Sequence, residues 1–264
     1  MMSLHTTTIG DGPAQLVFLH GIFGQGKNFT SIAKQLADVA TCTLVDLPNH
    51  GRSPWTDELS YPTLAASVAE LLETIGSPVC LVGHSMGGKV AMRTALEHPE
   101  LVERLMVVDI SPSVGLGTNF GPLVQAMQSL PLADLTNRKQ ADELLREGIP
   151  SDTVRGFLMQ NLRHEDVDGS GTRRWHWQMN LDLLARELEG TISDWPAIDA
   201  HYDGRVLWVA GEKSPYVRQD AYQTMRELFP RYVLVTIKDA GHWVHSEQPA
   251  AFTSTLRSFL ALEG

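Results

Sequence analysis

What limits the possible folds of this chain most is a short apolar strand that turns sharply into a helix. Residues 79–91 read Val-Cys-Leu-Val-Gly-His-Ser-Met-Gly-Gly-Lys-Val-Ala, so Gly83-x-Ser85-x-Gly87 separates an apolar run from an alanine-rich helical stretch. A serine at such a turn is held in a strained conformation with its hydroxyl exposed, and the glycines keep Cβ atoms out of the crowded turn. A helix N-terminus beside Ser85 also favours developing negative charge. The pattern therefore predicts a nucleophilic serine in preference to an inert tight turn.

Strand and helix patterns alternate along most of the chain. Apolar runs that suit strands buried on both faces occur at 15–20, 42–47, 79–82, 105–109, 206–210 and 232–237. Stretches with helical spacing of apolar residues occur at 28–38, 62–75, 217–229 and 249–262. This alternation predicts an α/β fold with a mostly parallel, doubly wound sheet.

The alternation stops between Pro112 and the strand at 206–210. The intervening residues indicate several helices with polar, glycine-containing breaks, and the candidates are 120–129, 138–147, 151–163 and 175–188. We therefore predict a helical cap, residues 113–200, inserted in a core made of residues 1–112 and 201–264. With 264 residues, of which 43% are hydrophobic, the chain is long enough to bury such a core.

Composition and charge narrow the classes of partner. The formal net charge is −10 at pH 7, which argues against nucleic acid or an anionic membrane surface, because both attract clustered Lys and Arg. No apolar run approaches the length of a membrane span, and the first residues lack the pattern of a signal peptide. Cys42 and Cys80 each lie in an apolar run, so we expect core residues rather than a disulfide or metal pair. The default expectation is a cytoplasmic location, and the sequence leaves the oligomeric state open.

Three side chains that could form a catalytic triad follow the ends of predicted strands, where reactive groups gather in a sheet of this type. Ser85 follows the strand at 79–82, Asp109 ends the strand at 105–109, and His242 follows the last strand. A serine hydroxyl needs a base that can later protonate the leaving group, a task that suits histidine. We therefore expect His242 to be that base rather than an ordinary surface-loop residue.

Three carboxylates compete for the task of orienting His242. Asp109 closes an apolar run, and a carboxylate buried there needs a partner, which favours Asp109. Glu212, after the strand at 206–210, is the second candidate. Asp239 lies so close in sequence to His242 that we expect it to shape the loop instead.

Ester cleavage passes through an oxyanion that two backbone N–H groups usually stabilise. We expect one donor from Met86, directly after the nucleophile, and the other from the loop after His20-Gly21, with Ile22 favoured and Phe23 second. A plain strand-end turn is the alternative for that loop.

Aromatic side chains near the predicted site are candidates for contact with an acyl chain. Phe23, Tyr216 and Trp243 flank the site in sequence, and Trp175 and Trp177 lie in the predicted cap. Because two residues at i and i+2 cannot share one face of a helix, only one of the two tryptophans is expected to reach the cleft. Packing of both in the core of the cap is equally open.

Five blocks of residues together resemble the α/β-hydrolase superfamily, and more narrowly its YbfF-type esterases. These blocks are 20–24, 46–53, 83–89, 211–217 and 240–245, and the resemblance spans the core but is weak across 113–200. Many relatives carry the acid at the position where this chain has Ser214. In the YbfF type it follows the strand after the nucleophile helix, which implies Asp109. The resemblance further implies hydrolysis of short to medium acyl esters, in some members acyl-CoA thioesters, with no cofactor and no metal.

The expected partner is thus a small-molecule acyl ester or thioester. Two other functions stay open at this point. The chain could be a receptor-like protein that binds a ligand with little turnover, or a lyase or carbon–carbon hydrolase that uses the same triad.

Overall fold

A seven-stranded sheet forms the centre of the molecule, for which the computed structural model describes residues 3–115, 120–167 and 169–261. The strands are β1 (Thr6–Ile9), β2 (Ala14–Leu19), β3 (Ala40–Val45), β4 (Val79–His84), β5 (Val102–Val108), β6 (Leu162–Glu165), β7 (Arg174–Trp177), β8 (Arg205–Gly211) and β9 (Tyr232–Ile237). The central sheet has the order β1-β3-β2-β4-β5-β8-β9, and β6 and β7 form a separate hairpin. All neighbours in the central sheet are parallel except β1 and β3, so the predicted mostly parallel sheet is confirmed.

Helices cover both faces of this sheet. They are α1 (Thr30–Leu36), α2 (Tyr61–Ile75), α3 (Met86–Glu97), α4 (Gly121–Gln128), α5 (Arg138–Leu145), α6 (Asp152–Met159), α7 (Leu181–Glu187), α8 (Tyr222–Leu228), α9 (Val244–Glu247) and α10 (Pro249–Ala261). Alternate residues of β4 enter two separate cores, one shared with α2, α3 and α8 and the other with α1 and α10. This two-sided burial explains the continuous apolar runs of the strands.

The edge strand β1 was not predicted. Its residues, Thr6–Ile9, are partly exposed and pair antiparallel with Cys42–Val45 of β3. Three successive threonines give neither an apolar run nor an alternating pattern, so the sequence did not indicate a strand here. The strand forms because its backbone pairs with the free edge of β3. Residues 1, 2 and 262–264 of the predicted core and terminal helix lie outside the described residues.

Among its described residues, the segment between β5 and β8 contains four α-helices and the hairpin of β6 and β7, which corrects two predicted helices. Residues 175–188 do not form a single helix, because 174–177 pair with 162–165 as strands. The Asn180 side chain accepts a hydrogen bond from the Leu183 N–H, which starts α7 at Leu181. The preceding predicted helix, 151–163, likewise ends at Met159 so that the chain can enter β6.

The end of this segment is fastened to the helix that follows the predicted nucleophile. Lys89 of α3 is buried, and its Nζ donates to the carbonyl oxygens of Ser193 at 3.0 Å and Asp194 at 2.7 Å. The Tyr61 hydroxyl donates to the Ile192 carbonyl at 2.8 Å. Because a buried ammonium needs such partners, these bonds hold the returning chain against α2 and α3.

The strand order reverses beside β2, since β3 lies on one side of it and β4 on the other. The carboxyl ends of parallel strands border a crevice at such a point, where ligands bind. The loops after β2 and β4 therefore meet there, together with those after β5 and β9. Within the described ranges, every helix is too short or too polar to cross a membrane.

Candidate active site

Ser85 lies in a strained turn between β4 and α3. Its backbone has φ 54° and ψ −122°, and its N–H donates to the Val108 carbonyl at 3.0 Å. A Cβ at Gly83 would lie 2.3 Å from the Gly87 carbonyl oxygen, and one at Gly87 would lie 2.4 Å from that of His20. Larger residues at either position would force this tight turn apart, which explains the glycine spacing seen in the sequence.

Ser85, His242 and Asp109, which are far apart in the chain, meet at the ends of the strands. The distance from His242 Nε2 to Ser85 Oγ is 3.0 Å, and that from His242 Nδ1 to Asp109 Oδ2 is 2.7 Å. In the tautomer that these partners favour, Nδ1–H donates to the carboxylate and Nε2 accepts from the hydroxyl. This arrangement can remove a proton from the serine and return it to a leaving group.

The Asp109 carboxylate is fully buried and has further hydrogen-bond donors besides His242. Its Oδ1 accepts from the Gly211 N–H at 2.9 Å, and its Oδ2 accepts from the Ser214 hydroxyl. Asp109 also has a positive φ of 51°, so the backbone at the end of β5 turns sharply to aim this side chain. The donors compensate the carboxylate for the loss of water.

The two competing carboxylates are engaged elsewhere. Glu212 Oε2 accepts from the Asp239 N–H at 3.0 Å, and the Asp239 carboxylate pairs with Lys213 Nζ at 2.8 Å. Both acids are exposed on the loop surface. Of the three candidates, the one in contact with His242 is therefore Asp109.

Two neighbours hold the His242 ring in place. The Tyr216 ring stacks on it with centroids 3.9 Å apart and planes 20° apart. His84 Nε2–H donates to the His242 carbonyl at 2.8 Å, and burial holds the pKa of His84 well below its usual value. His84 is therefore neutral and serves to brace the loop rather than to exchange protons with Ser85.

The loop after β2 contains both candidates for the second oxyanion donor, Ile22 and Phe23. The Phe23 N–H already donates to His50 Nε2 at 3.2 Å, while His50 Nδ1–H donates to the Pro48 carbonyl at 2.9 Å. Burial lowers the pKa of His50 to about 3, so this ring stays a neutral acceptor. Because the Phe23 N–H has an acceptor, the contacts favour Ile22 as the partner of Met86, which begins α3.

His20 fixes the start of the same loop. Its Nε2 accepts from the Leu47 N–H at 3.0 Å, and its Nδ1–H donates to the Gly21 carbonyl at 2.8 Å. Burial lowers the pKa of His20 to about 4. Two neutral histidines, His20 and His50, thus lie 4.9 Å apart between ring centroids and fasten the loop to the segment after β3.

A narrow cavity of about 30 Å³ opens beside Ser85. We use the term narrow cavity for the space bordered by Ile22, Phe23, Phe120, Leu123, Leu158 and Trp243. Its walls include Phe23 and Trp243, both proposed from the sequence as substrate contacts. The contributions of Phe120, Leu123 and Leu158 were missed, because apolar residues of a predicted helix carry no sign of which cavity they face.

The other aromatic candidates lie elsewhere. Trp177 is buried, and its Nε1–H donates to the Met127 carbonyl at 3.2 Å, whereas Trp175 stacks on His164 with centroids 4.7 Å apart. Neither tryptophan borders the narrow cavity, so the expectation that one of them reaches the cleft is corrected in favour of packing within the segment. Tyr216 contacts His242 rather than the cavity.

His245 is a further histidine close to the triad. It is buried in α9, with its ring 4.6 Å from that of Phe29 and 4.8 Å from that of His84. Its Nδ1 finds no hydrogen-bond partner among the described residues. The ring also borders the narrow cavity. Cys42 and Cys80 are buried and unbridged, as expected for core residues.

Comparisons with known families and with solved structures show which family the chain belongs to. The family model described as the alpha/beta hydrolase fold matches residues 15–249. The chain belongs to the α/β-hydrolase family. A solved marine microorganism esterase superimposes with a TM-score of 0.92 at 32% identity, over 98% of this chain and 100% of that one.

Named relatives in this family include ester-cleaving enzymes. The sn-1-specific diacylglycerol lipase ABHD11 of Danio rerio is 41% identical over 93% of this chain and 78% of its own length. Esterase YbfF of Escherichia coli K12 is 28% identical over 93% of this chain and 92% of its own. Because the chain belongs to this family and its relatives are named esterases and lipases, we conclude that it is a hydrolase.

Proposed function

We propose that this α/β hydrolase is a serine carboxylesterase that cleaves short to medium acyl esters through an acyl-enzyme on Ser85. The observation that carries the proposal is the continuous contact from the Ser85 hydroxyl through the His242 ring to Asp109, at 3.0 and 2.7 Å. The esterase and lipase names of the relatives support the same reaction class.

The proposed reaction has two steps. As Ser85 Oγ attacks the acyl carbonyl, its proton passes to His242 Nε2, and Asp109 stabilises the resulting imidazolium. The N–H groups of Ile22 and Met86 stabilise the oxyanion, and the imidazolium then protonates the leaving oxygen as the bond to the acyl carbon breaks. Water, deprotonated by His242, releases the acid and restores the serine.

The size of the narrow cavity supports the limit on acyl length. About 30 Å³ beside Ser85 gives room for only a short chain unless the walls move. Hydrolysis of thioesters with the same acyl groups is part of the proposal, because the triad acts on the acyl carbon in both cases.

A series of 4-nitrophenyl esters from acetate to palmitate tests this proposal. We expect turnover of the shorter esters, a decline with chain length, and a loss of about 10⁶-fold in kcat for Ser85→Ala, the scale seen when a catalytic serine is removed. Ser31→Ala, which changes an exposed serine of α1, is the control and keeps its activity. Equal rates for wild type and Ser85→Ala would favour the receptor-like alternative.

A cytoplasmic location belongs to the same proposal, and fractionation of the source cells tests it.

A further inference from the structure

A second, much larger space continues from the narrow cavity toward the surface. We use the term polar groove for this space of about 710 Å³, bordered by Lys27, Asn28, Asp152, Gln160, Ser246 and Glu247. It shares Asn28, Val154, Phe157, Trp243 and His245 with the narrow cavity. A ligand bound at Ser85 can therefore extend from one space into the other.

The linings of the two spaces assign them to different parts of a substrate. The narrow cavity is bordered by Ser85 and His242 themselves, by the loop of the proposed oxyanion donor Ile22, and otherwise mostly by apolar side chains, which suits an acyl group. The lining of the polar groove is mostly polar side chains from α6 and from residues 245–247, which suits an alcohol. Trp243 and His245 border both spaces, so the two meet beside the proton donor His242.

Resting on the proposed esterase function, we infer that the substrate is a short-acyl ester of a large, neutral, hydroxyl-rich alcohol. The acyl group lies in the narrow cavity and the alcohol lies in the polar groove. The leaving oxygen takes the proton from His242 as the bond between this oxygen and the acyl carbon breaks, so the free alcohol is released into the groove.

The charges around the polar groove favour a neutral leaving group over a phosphate-bearing one. The lining contains one lysine, Lys27, and two carboxylates, Asp152 and Glu247. The Asp152 carboxylate binds Arg155 at 2.6 Å, and Glu247 accepts from the N–H groups of Gly241 and Trp243 at 2.7 and 3.1 Å. A lining of mixed charge, with both acids already engaged, suits hydroxyl groups, which can pair with donors and acceptors alike, better than phosphate, which needs several cationic donors.

Amide groups form a polar side of the groove. Asn28 Nδ2–H donates to Gln160 Oε1 at 3.0 Å, joining the end of α6 to the segment after β2. The His245 ring also borders the groove, with its Nδ1 buried away from it, and burial lowers the pKa of this ring to about 3. The ring is therefore neutral, as are both amides, which suits recognition of uncharged hydroxyl groups.

Gly156 of α6 offers a way to fill the polar groove without disturbing the fold. It borders the groove, and a Cβ built there meets no described atom within 4 Å. Leucine favours helix more than glycine, so Gly156→Leu is expected to fold. Gly190 has the same open surroundings and borders neither the narrow cavity nor the polar groove, which makes Gly190→Leu the matched control.

The experiment compares three butyrate esters that share one acyl group: glucose 6-butyrate, ethyl butyrate and 4-nitrophenyl butyrate. We expect wild type to show a kcat/KM about tenfold higher for glucose 6-butyrate than for ethyl butyrate, a modest gain for added polar contacts. Gly156→Leu should reduce this ratio to about one, because the added side chain fills the space that the glucose group would occupy. Gly190→Leu should keep the wild-type ratio.

A ratio near one in wild type, or a ratio that Gly156→Leu leaves intact, would overturn the inference about the alcohol. A groove-dependent preference for butyryl-coenzyme A over S-butyryl-N-acetylcysteamine would overturn the choice of a neutral leaving group. If hydrolysis of 4-nitrophenyl butyrate did not depend on Ser85, the esterase proposal itself would fail. The dependence on Ser85 therefore tests the esterase proposal, and the ratios between esters test the inference about the alcohol.

Discussion

The Ser214 hydroxyl and the His242 ring donate to the same oxygen of Asp109. His242 Nδ1 lies 2.7 Å from Oδ2, and Ser214 Oγ binds that atom too. The carboxylate is buried, so each donor replaces a hydrogen bond from water and helps to orient the carboxylate. By the family resemblance given above, Ser214 stands at a position where many α/β hydrolases are expected to carry the acid. Here it supplies a hydrogen bond in place of a charge.

Replacement of this hydroxyl should impair catalysis to a limited degree. For Ser214→Ala we expect kcat/KM for 4-nitrophenyl butyrate to fall about tenfold, the effect of one lost hydrogen bond to a charged group. Ser214→Thr retains the hydroxyl and should recover most of the activity. Full activity of the alanine variant would mean that Gly211 and His242 suffice to hold the carboxylate.

Replacement of the acid itself should have a far larger effect. In Asp109→Asn the amide favours the wrong tautomer of His242, so kcat should fall about 10⁴-fold. Glu212→Gln serves as the control, because Glu212 contacts the Asp239 N–H rather than His242. The assignment fails if Glu212→Gln loses the activity and Asp109→Asn keeps it.

The sheet and the triad could be predicted because their signals are local. Each buried strand is a continuous apolar run, and Ser85, Asp109 and His242 lie at the ends of such runs or within five residues after them. The hairpin of β6 and β7 could not be predicted in the same way. Its strands, Leu162–Glu165 and Arg174–Trp177, are short, and they depend on pairing with each other rather than on their own pattern.

The walls of the narrow cavity also depend on packing between residues that are far apart in the chain. The sequence contains no sign that Phe120 and Leu158, from different helices, approach Ser85, or that Trp177 turns into the core to donate to Met127. The role of His245 was hidden for the same reason, because its burial depends on Phe29 and His84, which are distant in the chain.

Buried neutral histidines should make the fold sensitive to acid. Burial lowers the pKa of His20 to about 4 and those of His50 and His245 to about 3, against about 6.5 in an unfolded chain. Below pH 6.5 the unfolded chain therefore binds more protons than the folded one, so stability is full above this pH and falls as pH approaches 4. Each such histidine contributes a slope of about 1.4 kcal/mol per pH unit.

Urea unfolding between pH 7 and pH 4.5 measures this slope. In His245→Phe, which replaces a ring with an unpaired nitrogen by an apolar one of similar shape, the slope should decrease by one proton. Unfolding free energies that do not change over this range would show that the histidines are protonated in the folded state.

Enlargement of the narrow cavity should change acyl preference. Leu123 borders it and is only partly buried, so Leu123→Ala is expected to fold. We expect the ratio of kcat/KM for 4-nitrophenyl octanoate to that for the acetate to rise about tenfold, since a methylene in an apolar pocket changes binding by ~1–3 kcal/mol. Leu144→Ala, at an exposed position of α5, leaves the ratio unchanged. An unaltered ratio in Leu123→Ala would place the acyl group elsewhere.

The bonds from Lys89 to the carbonyls of Ser193 and Asp194 bear on how substrate enters. They anchor the C-terminal end of the segment between β5 and β8 to α3, the helix that begins directly after Ser85. Earlier in the same segment, just after α6, the Asn161 side chain donates to the Phe23 carbonyl at 2.7 Å. The segment that borders the narrow cavity is thus held at two points, one beside the nucleophile and one beside the proposed oxyanion donor.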